Sequence, residues 1–444
     1  MRKTSVYIET IGCQMNVADT ERAASRLRIA GYELVGDSES ADVVLFNTCS
    51  VRARAEQKVF NRIGEVRKSS RHGKQIVGVT GCVAQLEGAA VFDHAPGVSL
   101  VVGTRATDRL PKIIERIRRG ERRILDLGER DEGETWDVSP AERHSPHVAF
   151  VPIIEGCNKF CTYCIVPYSR GRERSRVASE VVAEVQRLLR SGFKEVHLIG
   201  QNVNSYRPET ETGLEGFNGA TPFSRLLRAV AATGVPRIKF TTSFPRDFHQ
   251  DIIAAIDECG NLCNWVHLPA QSGSDRVLRL MRRGHKASDY MRRVEAIKNA
   301  RRKISLTTDI IIGFPGETEK DFQATVQLVK QCQYDGIYIF KYSERKGTPA
   351  AALLGKLSDS EKTARFQALH GVQQGIQSEI YASYIGKSVS VLVEAVSTRS
   401  IEDVTGHTTC NKVVNFKGVA DLIGQIVHVN VTTAKQHSLY GALV

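Results

Sequence analysis

Val148-Ala149-Phe150-Val151-Pro152-Ile153-Ile154-Glu155-Gly156-Cys157-Asn158-Lys159-Phe160-Cys161-Thr162-Tyr163-Cys164 opens the central part of the chain. Its first seven residues form a short apolar run, which reads as a buried strand. A loop with three cysteines at CxxxCxxC spacing follows at once. Further runs at 195–199, 237–241, 265–268, 305–312 and 336–340 also read as strands. Amphipathic stretches such as 179–190, 222–232, 251–258 and 319–330 separate them. Strand and helix thus alternate six times, which predicts a parallel (β/α)6 barrel, complete or open on one side. Strand ends host the chemistry in such barrels. Strand 195–199 runs into Gly200-Gln201-Asn202, and strand 305–312 into Gly313-Phe314-Pro315-Gly316.

Three thiolates at this spacing can hold three corners of a cubane iron–sulfur cluster. The fourth iron stays open, because full protein ligation takes four cysteines. Zinc is the competing reading, but no fourth ligand follows nearby and the spacing is not a usual zinc one.

The first part of the chain alternates strand and helix signals too, with strands at 5–10, 43–47, 75–80 and 99–102 and helical stretches at 20–30, 52–69 and 106–119. This predicts a parallel α/β sheet over 1–128. Cys13, Cys49 and Cys82 each follow one of its strands, so they can converge at neighbouring strand ends as a second three-cysteine set. Residues 129–147 are acidic and punctuated by Ser139-Pro140 and Ser145-Pro146, and read as a linker. The barrel and a linking helix at 359–385 fill 148–383. The remainder, 384–444, is β-branched and glycine-punctuated, and reads as a small antiparallel β-barrel with strands at 389–393, 413–416 and 426–431. Cys259, Cys263, Cys332 and Cys410 show no such placement and read as ordinary thiols.

Composition narrows the class. With 444 residues, 41% hydrophobic and 25% charged, the chain is of ordinary globular make-up. Ten cysteines are too sparse for a disulfide scaffold. No apolar run approaches the ~18 residues of a membrane span, and Glu9 interrupts any leader-like segment, so a cytoplasmic protein is expected. The formal charge of +12 divides as +6 over 1–128, −4 over 129–147, +9 over 148–383 and +1 over 384–444. Eleven basic residues fall between Arg276 and Lys303, among them Arg282 and Arg283, opposed by only Asp289 and Glu295. Arg170, Arg172, Arg174 and Arg176 alternate, and a period of two in an extended chain puts all four on one side. These two clusters are the candidate RNA-binding residues.

The motifs resemble those of the radical S-adenosylmethionine (SAM) superfamily and, over nearly the whole chain, its methylthiotransferase family. That family joins an N-terminal three-cysteine domain, a barrel and a C-terminal TRAM domain. The resemblance is carried by Gly12-Cys13-Gln14-Met15-Asn16, Asn47-Thr48-Cys49-Ser50-Val51-Arg52, the segment from Gly156 to Tyr168, and Gly200-Gln201-Asn202-Val203-Asn204-Ser205-Tyr206. His267-Leu268-Pro269 with Gln271-Ser272-Gly273, Gly313-Phe314-Pro315-Gly316-Glu317-Thr318, Phe340-Lys341-Tyr342-Ser343 and Val413-Val414-Asn415-Phe416 also fit. The chain departs from the pattern at Phe244, where histidine is frequent. It departs again at His407 and Thr409, where an arginine and an acidic residue are usual.

The resemblance implies methylthiolation of carbon 2 of N(6)-dimethylallyladenosine next to a tRNA anticodon. It implies two 4Fe-4S clusters, on Cys13, Cys49 and Cys82 and on Cys157, Cys161 and Cys164, that face one cavity. Two SAM are spent per turnover, one as methyl donor and one as radical source. Tyr163 would pack near the SAM adenine, and Gln201, Asn202, Ser243 and Gln271 would contact SAM or the base. Gly200, Gly313 and Gly316 would allow close backbone approach, and Arg170 or Arg174 would pair with a SAM carboxylate or an RNA phosphate. The implied partners are a tRNA anticodon stem-loop and a low-potential electron donor of flavodoxin or ferredoxin type, with no membrane and a monomeric chain. Within the family, threonylcarbamoyl-adenosine in tRNA and a ribosomal-protein aspartate are alternative substrates. A non-catalytic iron–sulfur RNA-binding redox sensor is the alternative of a different class.

Overall fold

The computed structural model describes residues 2–50, 53–69, 75–130 and 136–444; Val51, Arg52 and residues 131–135 of the expected linker lie outside the described residues. The chain forms two compact units. One gathers 1–145 with 155–158 and 165–173, and the other holds 146–154, 159–164 and 174–444.

The first unit is built on a six-stranded sheet in the order Glu33–Leu34, Ser5–Ile11, Val43–Thr48, Ile76–Gly81, Leu100–Val102, Ile124–Asp126. Every pairing is parallel. Central strand Val43–Thr48 is buried along its whole length. Its pleat sends Val44 and Phe46 into one hydrophobic cluster, and Val43 and Leu45 into another. The four expected strands are present. The two edge strands were not anticipated, because two or three residues are too few to display a period.

The acidic stretch after this sheet is not a solvated tether over its described residues. Trp136, Val138 and Arg143 are buried. Arg143 pairs with Glu21 at 2.9 Å, and the His144 N–H donates to the same carboxylate at 2.8 Å. Buried ion pairing, invisible in composition, ties the segment to its unit.

In the second unit six parallel strands form two three-stranded sheets. Arg237–Phe240, Glu195–Ile199 and Val148–Pro152 make one; Trp265–His267, Ser305–Ile312 and Gly336–Lys341 make the other. A parallel bridge between Ile238 and Leu262 links them. Among the described residues no pairing joins Val148–Pro152 to Gly336–Lys341, so the barrel is open on that side. Val196, Leu198, Ile238, Leu306 and Ile310 pack with the helices in the main core. The opposite strand face is polar and aromatic. It carries Lys239 against Glu195 at 2.9 Å, and His267 bonded to Thr307 at 3.0 Å.

Helix Asp359–Ala382 opens on a capping box of Ser358 and Glu361 and leads into a closed five-stranded barrel. Around the barrel run Ser388–Val396, Asp403–Thr408, Val413–Lys417, Leu439–Leu443 and Ile426–Ala434. All pairings are antiparallel except that of Val413–Lys417 with Leu439–Leu443. The sequence missed strands Asp403–Thr408 and Leu439–Leu443, whose polar and glycine residues mask the pattern. Closure explains the glycine: a Cβ at Gly406 would stand 2.0 Å from the Leu392 carbonyl oxygen.

Lys412 fastens this barrel to the larger one. It is 2% exposed and its ammonium donates to Asp335 and to Ser305 Oγ. Removing one member of a buried pair strands the other charge. Lys412→Ala therefore lowers unfolding stability in urea by about 3 kcal/mol. Adding Asp335→Asn, which removes the stranded charge and keeps an acceptor for the Leu306 N–H, recovers part of that loss.

Candidate metal centres

In the first unit the three cysteines are placed by strand register. Ile11 pairs with Thr48, and Thr48 with Gly81, so three strand ends lie side by side. Cys49 and Cys82 come immediately after, and Cys13 two residues after, where it caps helix Gln14–Ile29. Two buried asparagines from the quoted motifs lock these ends together. Asn16 Nδ2 donates to Asn47 Oδ1 and to the Thr48 carbonyl, both at 3.1 Å. Asn47 Nδ2 donates back to the Asn16 carbonyl at 2.8 Å. The Cys13 thiol donates to Asn16 Oδ1 at 3.2 Å. Glycine is required beside them, because a Cβ on Gly12 or Gly81 would lie 2.3 Å or 2.4 Å from the Asn16 or Asn47 oxygen.

The electrostatics of this set are uneven. A hydrogen bond with Cys49 is the largest influence on Cys13. Desolvation opposes it, the charge of Arg170 reinforces it, and the thiol is lowered to about 6. Burial raises Cys82, against the charge of Arg170.

The second set lies on the loop between strand Val148–Pro152 and helix Val166–Arg170. Cys157 and Cys161 are each 8% exposed, and Cys164 is half-buried. Thr162 anchors the loop: its N–H donates to the Met281 carbonyl at 3.1 Å and its hydroxyl to the Leu280 carbonyl at 2.8 Å. Tyr163 packs edge-on to Phe314 with ring centroids 6.5 Å apart. Among the described residues no three His, Cys, Asp or Glu side chains gather tightly enough for a single metal ion. A cubane binds its thiolates at separate irons and takes a wider triangle than zinc does.

The strand ends of the barrel carry buried polar atoms without a protein partner: Gln201 Oε1, Thr241 Oγ1, Ser243 Oγ, Gln271 Oε1 and Tyr342 Oη. Buried polar groups require partners, so these five fit a polar ligand at the C-terminal ends of parallel strands. Asn202 is buried beside them. Phe160, Thr242, Gln271 and Arg282 are non-glycine residues with left-handed φ, between 48° and 71°, and lie on these same loops. Glu317 explains its motif: it accepts from the Gly313 N–H at 2.6 Å and pairs with Arg365 at 2.6 Å.

Several expected roles change. A Cβ on Gly200 would lie 2.3 Å from Ile154 Cγ2, so that glycine serves packing. Gly313 and Gly316 supply left-handed turns, at φ 67° and 76°. The alternating arginines do not share a face, because helix Val166–Arg170 ends at Gly171 and breaks the extended run. Arg170 is buried against Asp19 at 2.6 Å and Glu155 at 3.2 Å, and Arg176 against Glu184 at 2.6 Å. Arg283 is buried as well, next to Cys161. These three are therefore not on an RNA-facing surface, whereas Arg172, Arg174 and Arg282 are exposed. Thr241 and Tyr342 were not singled out from the sequence, although Tyr342 stands in the Phe340–Ser343 motif; Arg283 was expected to meet RNA and is instead buried beside Cys161.

Residues 5–103 match the uncharacterized protein family UPF0004, 151–329 the radical SAM superfamily, and 382–444 the TRAM domain. A tRNA-2-methylthio-N(6)-dimethylallyladenosine synthase of Solibacter usitatus (strain Ellin6076) is 44% identical over 440 residues, covering 98% of this chain and 97% of that one. A synthase of the same name from Koribacter versatilis (strain Ellin345) is 44% identical over 443 residues, covering 99% and 98%. Among solved structures, the radical S-adenosylmethionine methyltransferase TsrM of Kitasatospora setae, with cobalamin and a 4Fe-4S cluster bound, gives a TM-score of 0.57. It is 15% identical and covers 79% of this chain and 77% of that one, a likeness of fold.

The lowered Cys13 thiol has a measurable consequence in iron-free protein. Thiolate is the reactive form, and Cys13 keeps the most exposure of its set. Iodoacetamide should label Cys13 before Cys49 or Cys82. With its thiol at about 6, the labelling rate should fall roughly tenfold from pH 7 to pH 5 as the thiolate is protonated. Peptide mass spectrometry reads both; a rate still rising steeply above pH 8 would contradict the assignment.

Proposed function

Because this chain belongs to the tRNA-2-methylthio-N(6)-dimethylallyladenosine synthase family, we propose that it adds a methylthio group to carbon 2 of N(6)-dimethylallyladenosine beside the tRNA anticodon. The full-length relationship carries this reading. Carbon 2 bears an unactivated C–H that no side-chain base removes. One SAM, bound at a 4Fe-4S cluster on Cys157, Cys161 and Cys164, would take the hydrogen atom as 5′-deoxyadenosine, while a second SAM would give the methyl group and a cluster on Cys13, Cys49 and Cys82 the sulfur.

The chain's own residues divide the remaining tasks. Cys157, Cys161 and Cys164 hold the first cluster, and Cys13, Cys49 and Cys82 hold the second. Asn16 and Asn47 fix the spacing of the latter set. Gln201, Ser243 and Gln271 offer their unpartnered oxygens to the amino and hydroxyl groups of SAM or of the target nucleoside. Asn202 lines the same strand ends, and Tyr163 gives an apolar face for the adenine. Of the six candidate arginines, Arg172, Arg174 and Arg282 are exposed, where RNA phosphates can reach them.

We further assign the chain to the cytoplasm as a monomer, served by a low-potential donor of flavodoxin or ferredoxin type. Among the described residues no helix is long and apolar enough to cross a membrane. No observation favours threonylcarbamoyl-adenosine, a ribosomal-protein aspartate or a non-catalytic redox sensor.

Nucleoside mass spectrometry of tRNA from a deletion strain, with and without this gene restored, tests the reading. The methylthio nucleoside should vanish and return, with its unthiolated precursor accumulating between; unchanged nucleosides would overturn it. In anaerobic assays with SAM and dithionite, Cys157→Ala, Cys161→Ala and Cys164→Ala should abolish 5′-deoxyadenosine. The triple variant of Cys13, Cys49 and Cys82 should still form it while yielding no methylthio product.

A further inference from the structure

Eight basic side chains among the described residues are buried. Arg22, Arg143, Arg170, Arg176, Arg237, Lys239 and Lys412 each have a carboxylate at ion-pair distance. Arg283 does not. It is 5% exposed, deeper than a surface cation requires, and it follows Arg282, whose left-handed φ of 55° turns the chain there.

Its guanidinium is held by neutral groups and one sulfur. Nη2 donates to the Pro269 carbonyl at 2.8 Å, and Nη1 donates to Cys161 Sγ at 3.5 Å. The cation lies 4.5 Å from the centre of the Phe244 ring. Its Nε has no partner. Burial disfavours its charge, and Tyr163, Cys161 and Cys164, in that order, are the neighbours that favour it. A buried cation without a counter-charge is costly, and a neutral carbonyl and an aromatic face offset only part of that cost. An anion at Cys161, 3.5 Å from Nη1, would supply the balance.

A cubane on three thiolates is such an anion, because the thiolates outweigh the positive charge of the iron–sulfide core. Reduction by one electron adds another negative charge at the same place. A fixed cation beside a ligating sulfur stabilises the more negative state, and hydrogen bonds to sulfur act in the same sense. Phe244 is the seat of that cation. Its backbone is clamped by Asn204, whose Nδ2 donates to the Phe244 carbonyl at 2.9 Å and whose Oδ1 accepts from the Phe244 N–H at 2.7 Å. Lys159 and Arg246 also approach the ring, at 5.3 Å and 5.6 Å; they share the single carboxylate of Asp247, and the Arg246 side chain is half exposed to solvent, whereas Arg283 is buried. The departure at Phe244 from the histidine frequent in the family thus gains a physical role.

We propose that Arg283, seated on Phe244, is the counter-charge of the cluster held by Cys157, Cys161 and Cys164 and raises its reduction potential. This positioning role rests on the reading of those cysteines as cluster ligands.

The test uses the full-length chain carrying Cys13→Ala, Cys49→Ala and Cys82→Ala, reconstituted anaerobically, so that only the barrel cluster is read. About four irons per chain in this background is the premise; fewer than half of that refutes the cluster reading itself, before Arg283 is touched. Dithionite titration followed by electron paramagnetic resonance then gives the potential without SAM. Arg283→Gln should make reduction at least tenfold less favourable, a shift of about 59 mV to more negative potential. Arg283→Lys, which keeps the charge, should shift it by less than half as much. An unchanged potential in Arg283→Gln at full iron content overturns the proposal. Should that variant fail to keep iron, Phe244→Leu is read instead: a more negative potential supports the proposal, and an unchanged one overturns it.

Discussion

Parallel strand register is the constraint on which the first unit depends. A parallel ladder aligns strand ends of the same polarity, and here it sets Ile11, Thr48 and Gly81 abreast. Cysteines one or two residues beyond those ends converge once the crossover connections have set the strands side by side. The asparagine pair then converts proximity into fixed spacing, and the glycines at 12 and 81 exist because those asparagine oxygens fill the space a Cβ would take. The motif residues around the cysteines thus serve the scaffold and not the chemistry directly.

Charge compensation plays the corresponding part deeper in the molecule. Arg170 lies near the first cysteine set, yet Asp19 and Glu155 balance it. Arg283 lies beside the second set with no carboxylate. Two sites of similar ligand chemistry therefore sit in different fields. The aligned strands decide where the first three cysteines go, and of the two buried arginines only Arg283 has no carboxylate at ion-pair distance.

Much of this was legible in the sequence, for reasons that differ by element. The six barrel strands were readable because a strand packed against helices is a bounded apolar run, as in 195–199 and 305–312. The cysteine sets were readable because each follows such a run directly. The short edge strands Glu33–Leu34 and Ile124–Asp126 were not, being too short for a period. Strand Asp403–Thr408 hid behind threonine, glycine and histidine. The arginines were misread for a different reason. Alternation implies a shared face only in continuous extended backbone, and Gly171 breaks the run. Arg170 and Arg283 are buried against Asp19 and Cys161, both more than a hundred residues away, and Arg176 against Glu184 on the following helix, none of which alternation of arginines reveals.

The proposed chemistry requires two separate cysteine triads, each holding one cluster. Iron and sulfide analysis with Mössbauer spectroscopy on anaerobically reconstituted protein counts them. About eight irons per chain are expected in the unaltered protein, all in 4Fe-4S form, and about four when either triad is replaced by alanine. About four irons in the unaltered protein, or no loss of iron on replacing Cys13, Cys49 and Cys82, would contradict it.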